Sequence, residues 1–440
     1  MKRVAFATLG CKVNQVETEA LKEEFLERGF TLVPFSAQAD VYIINTCTVT
    51  HTSDRKSRAI IRRAARRNPG AAVVVTGCMA QASSQEIGAM EGVVLVAGNR
   101  EKENLVELVE EVLQAGGKEP LIMAGTWENR PRLKPVMYSR LHERTRAFIK
   151  IQDGCESFCS YCIVPHVRGP VRSKQPEDVL SEVECLLALG YRELVLSGIH
   201  CGFYGLDLPG WNLARLVRLI LDQVRGEYRL RLGSIEALEL RDELLALFPG
   251  EKRLCRHFHL PLQSGSDKIL QQMNRRYDRR WFQQLVEKAV AQVPGAAVTS
   301  DVMVGFPGEG AREFSQTVRL LEELPLLDLH VFKYSPRPGT PAASMGEQVA
   351  EAEKQERSQI LLDLASKKKR EFIAAQTGKE LVLVVERRLS AGHYLGLSDN
   401  YIEVSVSSQR DLRGQLVPVV LEEADQIPPQ GRLKIIQGTR

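Results

Sequence analysis

From Arg3 to Pro336, short apolar runs alternate with longer amphipathic segments. Runs such as VYIINT, AAVVVT and ELVLSG are apolar at nearly every position, which suits strands of a parallel sheet covered on both faces. The segments between them, such as VETEALKEEFLERG and LARLVRLILDQV, repeat their apolar residues at helical spacing. The chain is therefore read as α/β, assembled from βαβ units. The rhythm breaks twice. Residues 115–145 are rich in Pro, Gly and charge and carry no period, which marks a linker with some extended structure. From Glu380 onward the period drops to two, with turn signals between short runs, which predicts a small all-β barrel.

These shifts divide the 440 residues into five segments. An N-terminal parallel-sheet α/β domain (1–114) precedes the linker (115–145) and a second α/β domain (146–345). A charged helical connector (346–376) then leads to the terminal β-barrel (377–440). The second domain has about six strand–helix pairs, fewer than a closed eight-unit barrel needs, so a partial (β/α)6 barrel is expected. No apolar run approaches the ~18–20 residues that span a bilayer. The N-terminus carries no signal-peptide pattern. The expectation is a cytoplasmic protein with reduced thiols and no membrane partner.

Nine cysteines, an odd number, argue against a disulfide framework. Cys155, Cys159 and Cys162 share one short loop that follows a predicted strand, at the barrel face where catalytic groups gather. A structural zinc site takes four ligands, and His166 could supply the fourth. A four-iron cluster held by three thiolates would instead keep one iron open for chemistry. Spacing alone leaves both readings standing. Cys11, Cys47 and Cys78 each end a predicted strand, in ATLGC, IINTC and VVTGC. Strand ends of a parallel sheet share one edge, so these three thiols are expected to converge as a second metal site. Cys185, Cys201 and Cys255 have no partner motif and take no assigned role.

Net charge is only +4, but it is uneven. HTSDRKSRAIIRRAARRNPG carries seven basic residues and one acid, and Arg55, Arg58, Arg62 and Arg66 recur at helical spacing. Such a stripe is a solvated helix face or a surface for an anionic partner. In the terminal module Arg387, Arg388, His393, Tyr394 and Tyr401 mix cations with aromatic rings, as RNA contact requires.

CESFCSYC matches the CxxxCxxC signature of radical S-adenosylmethionine (SAM) enzymes. NTCTVT, VVVTGC, HLPLQSGSD and VGFPGE resemble segments of the methylthiotransferases within that superfamily, nearly end to end. TLGCKVNQVE around Cys11 is similar to the branch that methylthiolates N6-threonylcarbamoyladenosine at position 37 of tRNA, at C2 of the adenine. The isopentenyladenosine and ribosomal-protein branches differ there and stand as alternatives, beside a non-catalytic zinc RNA-binding protein. The resemblance implies a C-terminal TRAM domain. It implies that Cys155, Cys159 and Cys162 hold a 4Fe-4S cluster whose open iron takes SAM. Reductive cleavage of SAM would then give a radical able to abstract hydrogen from an aromatic carbon. It also implies an auxiliary 4Fe-4S cluster on Cys11, Cys47 and Cys78. The partners it implies are a tRNA presenting an anticodon-loop adenosine and an electron donor such as flavodoxin or ferredoxin. Tyr161 matches a position near the adenine of SAM in relatives. Ser197, Gly198, Glu236, Gln263, Ser264 and Gly305, at strand ends, are the other expected SAM contacts. The arginine stripe, Arg387, Arg388 and Tyr401 are the expected RNA contacts.

Overall fold

The computed structural model describes residues 1–116, 119–127, 132–140, 144–423 and 427–434. The first sheet contains β1 (Arg3–Thr8), β2 (Thr31–Val33), β3 (Val41–Thr46), β4 (Ala72–Gly77), β5 (Val93–Ala97) and β6 (Leu121–Met123). Its order is β2-β1-β3-β4-β5-β6, and every neighbouring pair is parallel. Alternate residues feed two cores. Tyr42, Ile44, Val73 and Val75 point to one, and Val41, Ile43, Val74 and Leu95 to the other. Each such fully buried aliphatic side chain contributes about 1.5–3 kcal/mol. β6 comes from the stretch read as a linker and pairs with β5 from Leu95↔Leu121 to Ala97↔Met123. It is short and largely exposed, so it leaves no pattern to read.

β7 (Arg146–Asp153), β8 (Arg172–Ser173), β9 (Glu193–Gly198) and β10 (Arg229–Leu232) lie in the order β10-β9-β7-β8. β11 (His257–His259), β12 (Ala297–Val304) and β13 (Asp328–Lys333) form a parallel trio in that order. Parallel bridges Leu230↔Leu254 and Ser234↔His259 join the two sets. The six strands β7, β9, β10, β11, β12 and β13 thus make the expected partial barrel. β8 is a two-residue addition, antiparallel to β7.

The chain divides into two compact units: residues 1–139, 152–175 and 335–343, and residues 140–151, 176–334 and 344–440. The cysteine loop therefore belongs to the first unit, whereas the sequence boundary at 146 groups it with the barrel.

β14 (Glu380–Ser390), β15 (His393–Ser398), β16 (Glu403–Ser407), β17 (Leu416–Glu423) and β18 (Gln430–Leu433) close into a barrel ordered β14-β15-β16-β18-β17. Leu383, Val385, Val404, Val419 and Leu421 fill it, with Ile373 from the helix Glu351–Ala374. Its docking within the second unit is polar. Glu193, fully buried, accepts from Arg229 Nε at 2.6 Å and Arg231 Nε at 2.8 Å. The same guanidiniums donate to the barrel's carbonyls: Arg229 to Val382 and Leu397, both at 2.6 Å, and Arg231 to Ser398 at 2.8 Å and Asp399 at 3.1 Å. Among the described residues no helix is long and apolar enough to cross a membrane.

Candidate functional site

β1, β3 and β4 are neighbours, so the residues just past their ends lie side by side. Cys11 caps the helix Lys12–Glu27, Cys47 directly follows β3, and Cys78 opens the short helix Cys78–Ala82. Two glycines permit the close approach, Gly10 at φ +99° and Gly77 at φ +98°. A Cβ at position 10 would lie 2.8 Å from Cys47 Cβ, and one at position 77 would lie 2.5 Å from the Thr46 carbonyl oxygen. Asn14 ties the edge together by donating to the Leu9 and Thr46 carbonyls at 2.7 and 3.0 Å. Cys47 and Cys78 are buried, while Cys11 reaches solvent. Burial pushes the Cys47 thiol up, the Val49 N–H opposes this, and the charges of Cys78 and Cys11 add to the rise.

Arg168 is wholly buried beside them. Its Nε donates to Cys78 Sγ at 3.3 Å. Its Nη1 donates to Glu17 Oε1 at 2.5 Å and Asp153 Oδ1 at 3.3 Å, and its Nη2 donates to Asn14. Burial would weaken the cation, but Glu17, Cys78, Asp153 and Cys11 more than offset that, so Arg168 stays charged well beyond the ordinary arginine range. Asn99 adds a second donor, with Nδ2 at 3.6 Å from Cys78 Sγ and 2.9 Å from the Val167 carbonyl. Lys102 closes the network on Glu17 at 2.5 Å and on Asn99 Oδ1 at 2.9 Å. A guanidinium and an amide aimed at one sulfur are partners for a thiolate, the form that ligates metal. The donor set fits a thiolate-held cluster.

The second set of cysteines begins two residues past β7. Cys155 N–H donates to the Gly169 carbonyl at 3.0 Å, and Cys162 N–H to the Cys159 carbonyl at 2.9 Å. Ala342 N–H donates to the Ser160 carbonyl at 2.8 Å and holds the loop from the other side. Cys159 is buried; Cys155 and Cys162 are partly exposed, as is Tyr161. Phe158 sits in the left-handed region at φ 44° with its ring exposed. Such a conformation costs about 1–3 kcal/mol in a non-glycine residue and is retained where the surroundings impose it, as in ligand clamps. His166 lies on the helix Val164–Arg168, its ring edge-on to Phe158 at 6.2 Å. Three sulfurs on one tied loop fit a cluster with one iron left open.

The remaining expected contacts divide. Ser197 and Gly198 end β9, and Glu236 is partly exposed and paired to Arg275 at 2.9 Å. Gln263, at φ +70°, exchanges backbone hydrogen bonds with Asp301 and Met303 on β12. Two residues are engaged in local structure. Ser264 is 1% exposed, and its hydroxyl accepts from the Ser266 N–H at 3.2 Å, which makes it a turn holder. Gly305 gives its N–H to Glu309 at 2.8 Å, and a Cβ there would strike the Lys354 side chain at 2.2 Å, so it is a packing glycine.

On the helix His51–Arg67, Arg55, Arg62 and Arg66 are exposed, but Arg58 is held by both oxygens of Glu86 at 2.7 and 2.9 Å. Arg387 and Arg388 are exposed along a groove of about 880 Å3, which Arg144, Arg192 and Arg413 also line. His393 is exposed too, while Tyr394 is buried in the barrel core. Tyr401 corrects the sequence reading. Its ring stacks on His257 at 4.0 Å and 4°, and the Arg231 guanidinium lies 5.2 Å from its centroid, so the ring is already engaged. Arg168 and Asn99 are functional candidates that the sequence reading missed. Arg168 is only six residues past Cys162, but nothing in the spacing says that it turns toward Cys78.

The model of "Uncharacterized protein family UPF0004" matches residues 3–98, and that of the "Radical SAM superfamily" matches residues 149–321. The chain is 40% identical over 432 residues to the threonylcarbamoyladenosine tRNA methylthiotransferase MtaB of Bacillus subtilis, covering 96% of this chain and 94% of that protein. It is 39% identical to the Aquifex aeolicus protein of the same name, covering 95% of this chain and 100% of that protein. Among solved structures it is similar in fold to the radical SAM methyltransferase TsrM from Kitasatospora setae. That likeness has a TM-score of 0.61 at 15% identity over 78% of this chain and 77% of that chain.

Proposed function

The chain belongs to the threonylcarbamoyladenosine tRNA methylthiotransferase (MtaB) family, and from that membership we propose how its own residues serve the reaction. The enzyme methylthiolates N6-threonylcarbamoyladenosine in tRNA at C2 of the adenine, at position 37 of the anticodon loop. Members bind SAM and a 4Fe-4S cluster, and this branch carries two clusters. Cys155, Cys159 and Cys162 would hold the cluster that takes SAM, and Cys11, Cys47 and Cys78 the auxiliary one. When bound, these groups supply the one-electron and sulfur chemistry that an unactivated aromatic C–H requires.

The protein supplies position, charge and partners. Arg168 and Asn99 direct N–H groups at Cys78 Sγ and so hold that sulfur in place. Tyr161, Ser197, Gly198, Glu236 and Gln263 contribute contacts to SAM. Arg55, Arg62, Arg66, Arg387 and Arg388 take phosphates, which position the RNA without reading its sequence. A loop adenosine is less stacked than a duplex base, so turning it out costs little. A small electron-transfer protein such as flavodoxin or ferredoxin delivers the reducing electron.

The observation that carries this reading is the match to MtaB proteins, 40% identical over 96% of the chain, together with two separate cysteine sets. The test is to incubate the anaerobically reconstituted enzyme with SAM, reductant and tRNA bearing threonylcarbamoyladenosine, then analyse nucleosides by mass spectrometry. A methylthio group should appear on that nucleoside. Preferred modification of isopentenyladenosine tRNA, or of neither RNA, would sink the assignment.

A further inference from the structure

Three side chains outside the cysteine sites meet on the strands of the partial barrel. His259 ends β11, Asp301 lies in mid-β12 and His330 in β13. Register explains the meeting: Asp301 and His330 are direct cross-strand partners, and His259 pairs with Thr299, two residues before Asp301. Along β12 the alternation sends Val298, Ser300, Val302 and Val304 to the fully buried face. Thr299 and Asp301 face the opposite way.

The donor atoms are packed as ligands would be. Asp301 Oδ1 lies 3.2 Å from His259 Nε2 and 3.2 Å from His330 Nδ1. One ligand atom from each residue lies within 4.8 Å of the other two. Tetrahedral ligands at ~2.0–2.2 Å from one small cation stand roughly 3.3–3.6 Å apart, near the 3.2 Å between Asp301 Oδ1 and each ring nitrogen. The ring atom of His259 away from Asp301, Nδ1, lies 2.9 Å from Thr299 Oγ1. A second hydrogen bond of this kind fixes the tautomer and the ring orientation of metal-ligating histidines. Side-chain exposure rises from 14% at His259 through 24% at Asp301 to 47% at His330, so the set is open on one side.

We propose that His259, Asp301 and His330 form a binding site for one borderline divalent cation, of the zinc or ferrous class. Two imidazoles and a carboxylate are the ligand set such cations take, in preference to calcium or magnesium. The exposed side leaves a position for water or another oxygen donor. The three ligands sit on adjacent strands of one sheet, so no loop has to fold around the ion. The proposal stands independently of the tRNA assignment.

Zinc is the probe. The anaerobically reconstituted enzyme, with its clusters in place, is equilibrated with zinc and desalted. The zinc X-ray absorption edge then reports the ligand shell. The expected shell is nitrogen and oxygen at ~2.0–2.1 Å, with imidazole scattering and no sulfur. His330→Ala and Asp301→Asn should lose this zinc, and Thr299→Val should bind it about 10–100-fold more weakly. His330 is half exposed, so its replacement should leave the thermal melt of the chain unchanged. No retained zinc in the parent would overturn the site. So would zinc with sulfur neighbours at ~2.3 Å only, or equal nitrogen–oxygen zinc in folded variants.

Discussion

Arg168→Gln is the most informative single change. The wild-type guanidinium bonds Glu17, Asp153, Asn14 and the Cys78 sulfur with no exposure to water. Removing one member of a buried charge network typically costs 3–5 kcal/mol, because the other charges lose their counter-ion. Here they are not stranded. Glu17 keeps Lys102 at 2.5 Å, and Asp153 keeps Arg172 at 3.1 Å. The loss should therefore fall near the low end, about 3 kcal/mol. It should appear as a lower urea midpoint of the anaerobically reconstituted enzyme by circular dichroism. Iron gives a second readout. Two four-iron clusters predict about eight irons per chain, and the variant should fall toward about four as the set around Cys78 loses its donor. Arg168→Lys keeps the charge but not the planar fork, and should lie between. A glutamine variant with the parent midpoint and full iron would refute the idea that this arginine holds the sulfur edge together.

Three other perturbations test other parts of the fold. Burial would push the Glu193 carboxyl up, but Arg229 and Arg231 hold it at about 2 against an ordinary 4.5. Its folded value is depressed, so its contribution of about 3 kcal/mol is full above the ordinary value and is lost as pH falls from there toward the folded one. Thermal melts across that range should show an acid sensitivity that Glu193→Gln lacks, and parallel pH profiles would count against the pairing. Replacing Arg387 and Arg388 by glutamine should weaken tRNA binding. It should also lower the slope of log affinity against log salt by about one unit per arginine, and an unchanged slope would take both off the phosphates. Tyr401→Ala should cost about 1–3 kcal/mol, from the lost ring stack and cation contact, with tRNA affinity unchanged below the melt. Weaker RNA binding at an unchanged melting temperature would return Tyr401 to the RNA surface.

The sheet and barrel were legible because buried parallel strands write long apolar runs, and β3, buried along its whole length, is the plainest case. The scattered cysteines were legible for a topological reason: equivalent strand ends of a parallel sheet meet wherever the chain places them. Side-chain direction was not legible. Tyr401 has the composition of an RNA-stacking residue, yet a left-handed backbone at φ +70° turns its ring onto His257. His259, Asp301 and His330 are 42 and 29 residues apart, as their numbers give, and no local spacing announces a convergence that exists only in the register. β6 and β8 were missed because three and two residues are too few to show a period.

One sequence signal lies in the strands themselves. Charged residues inside otherwise apolar strands, Glu193 in ELVLSG and Arg229 and Arg231 in RLRL, are costly unless paired. Here they are paired to one another and to backbone carbonyls of the terminal barrel. Arg168 follows the same logic in the other unit, where a buried guanidinium spans Glu17 and Asp153 across 136 positions of chain, 153 minus 17. Apolar faces can slide past one another with little loss, whereas a fork of hydrogen bonds to a buried guanidinium is satisfied in one register only. The stability gained over a well-packed apolar joint is small. What such a joint supplies is a fixed position, and a cluster edge needs that more than it needs added stability, since its sulfurs must stand at set distances before any metal arrives.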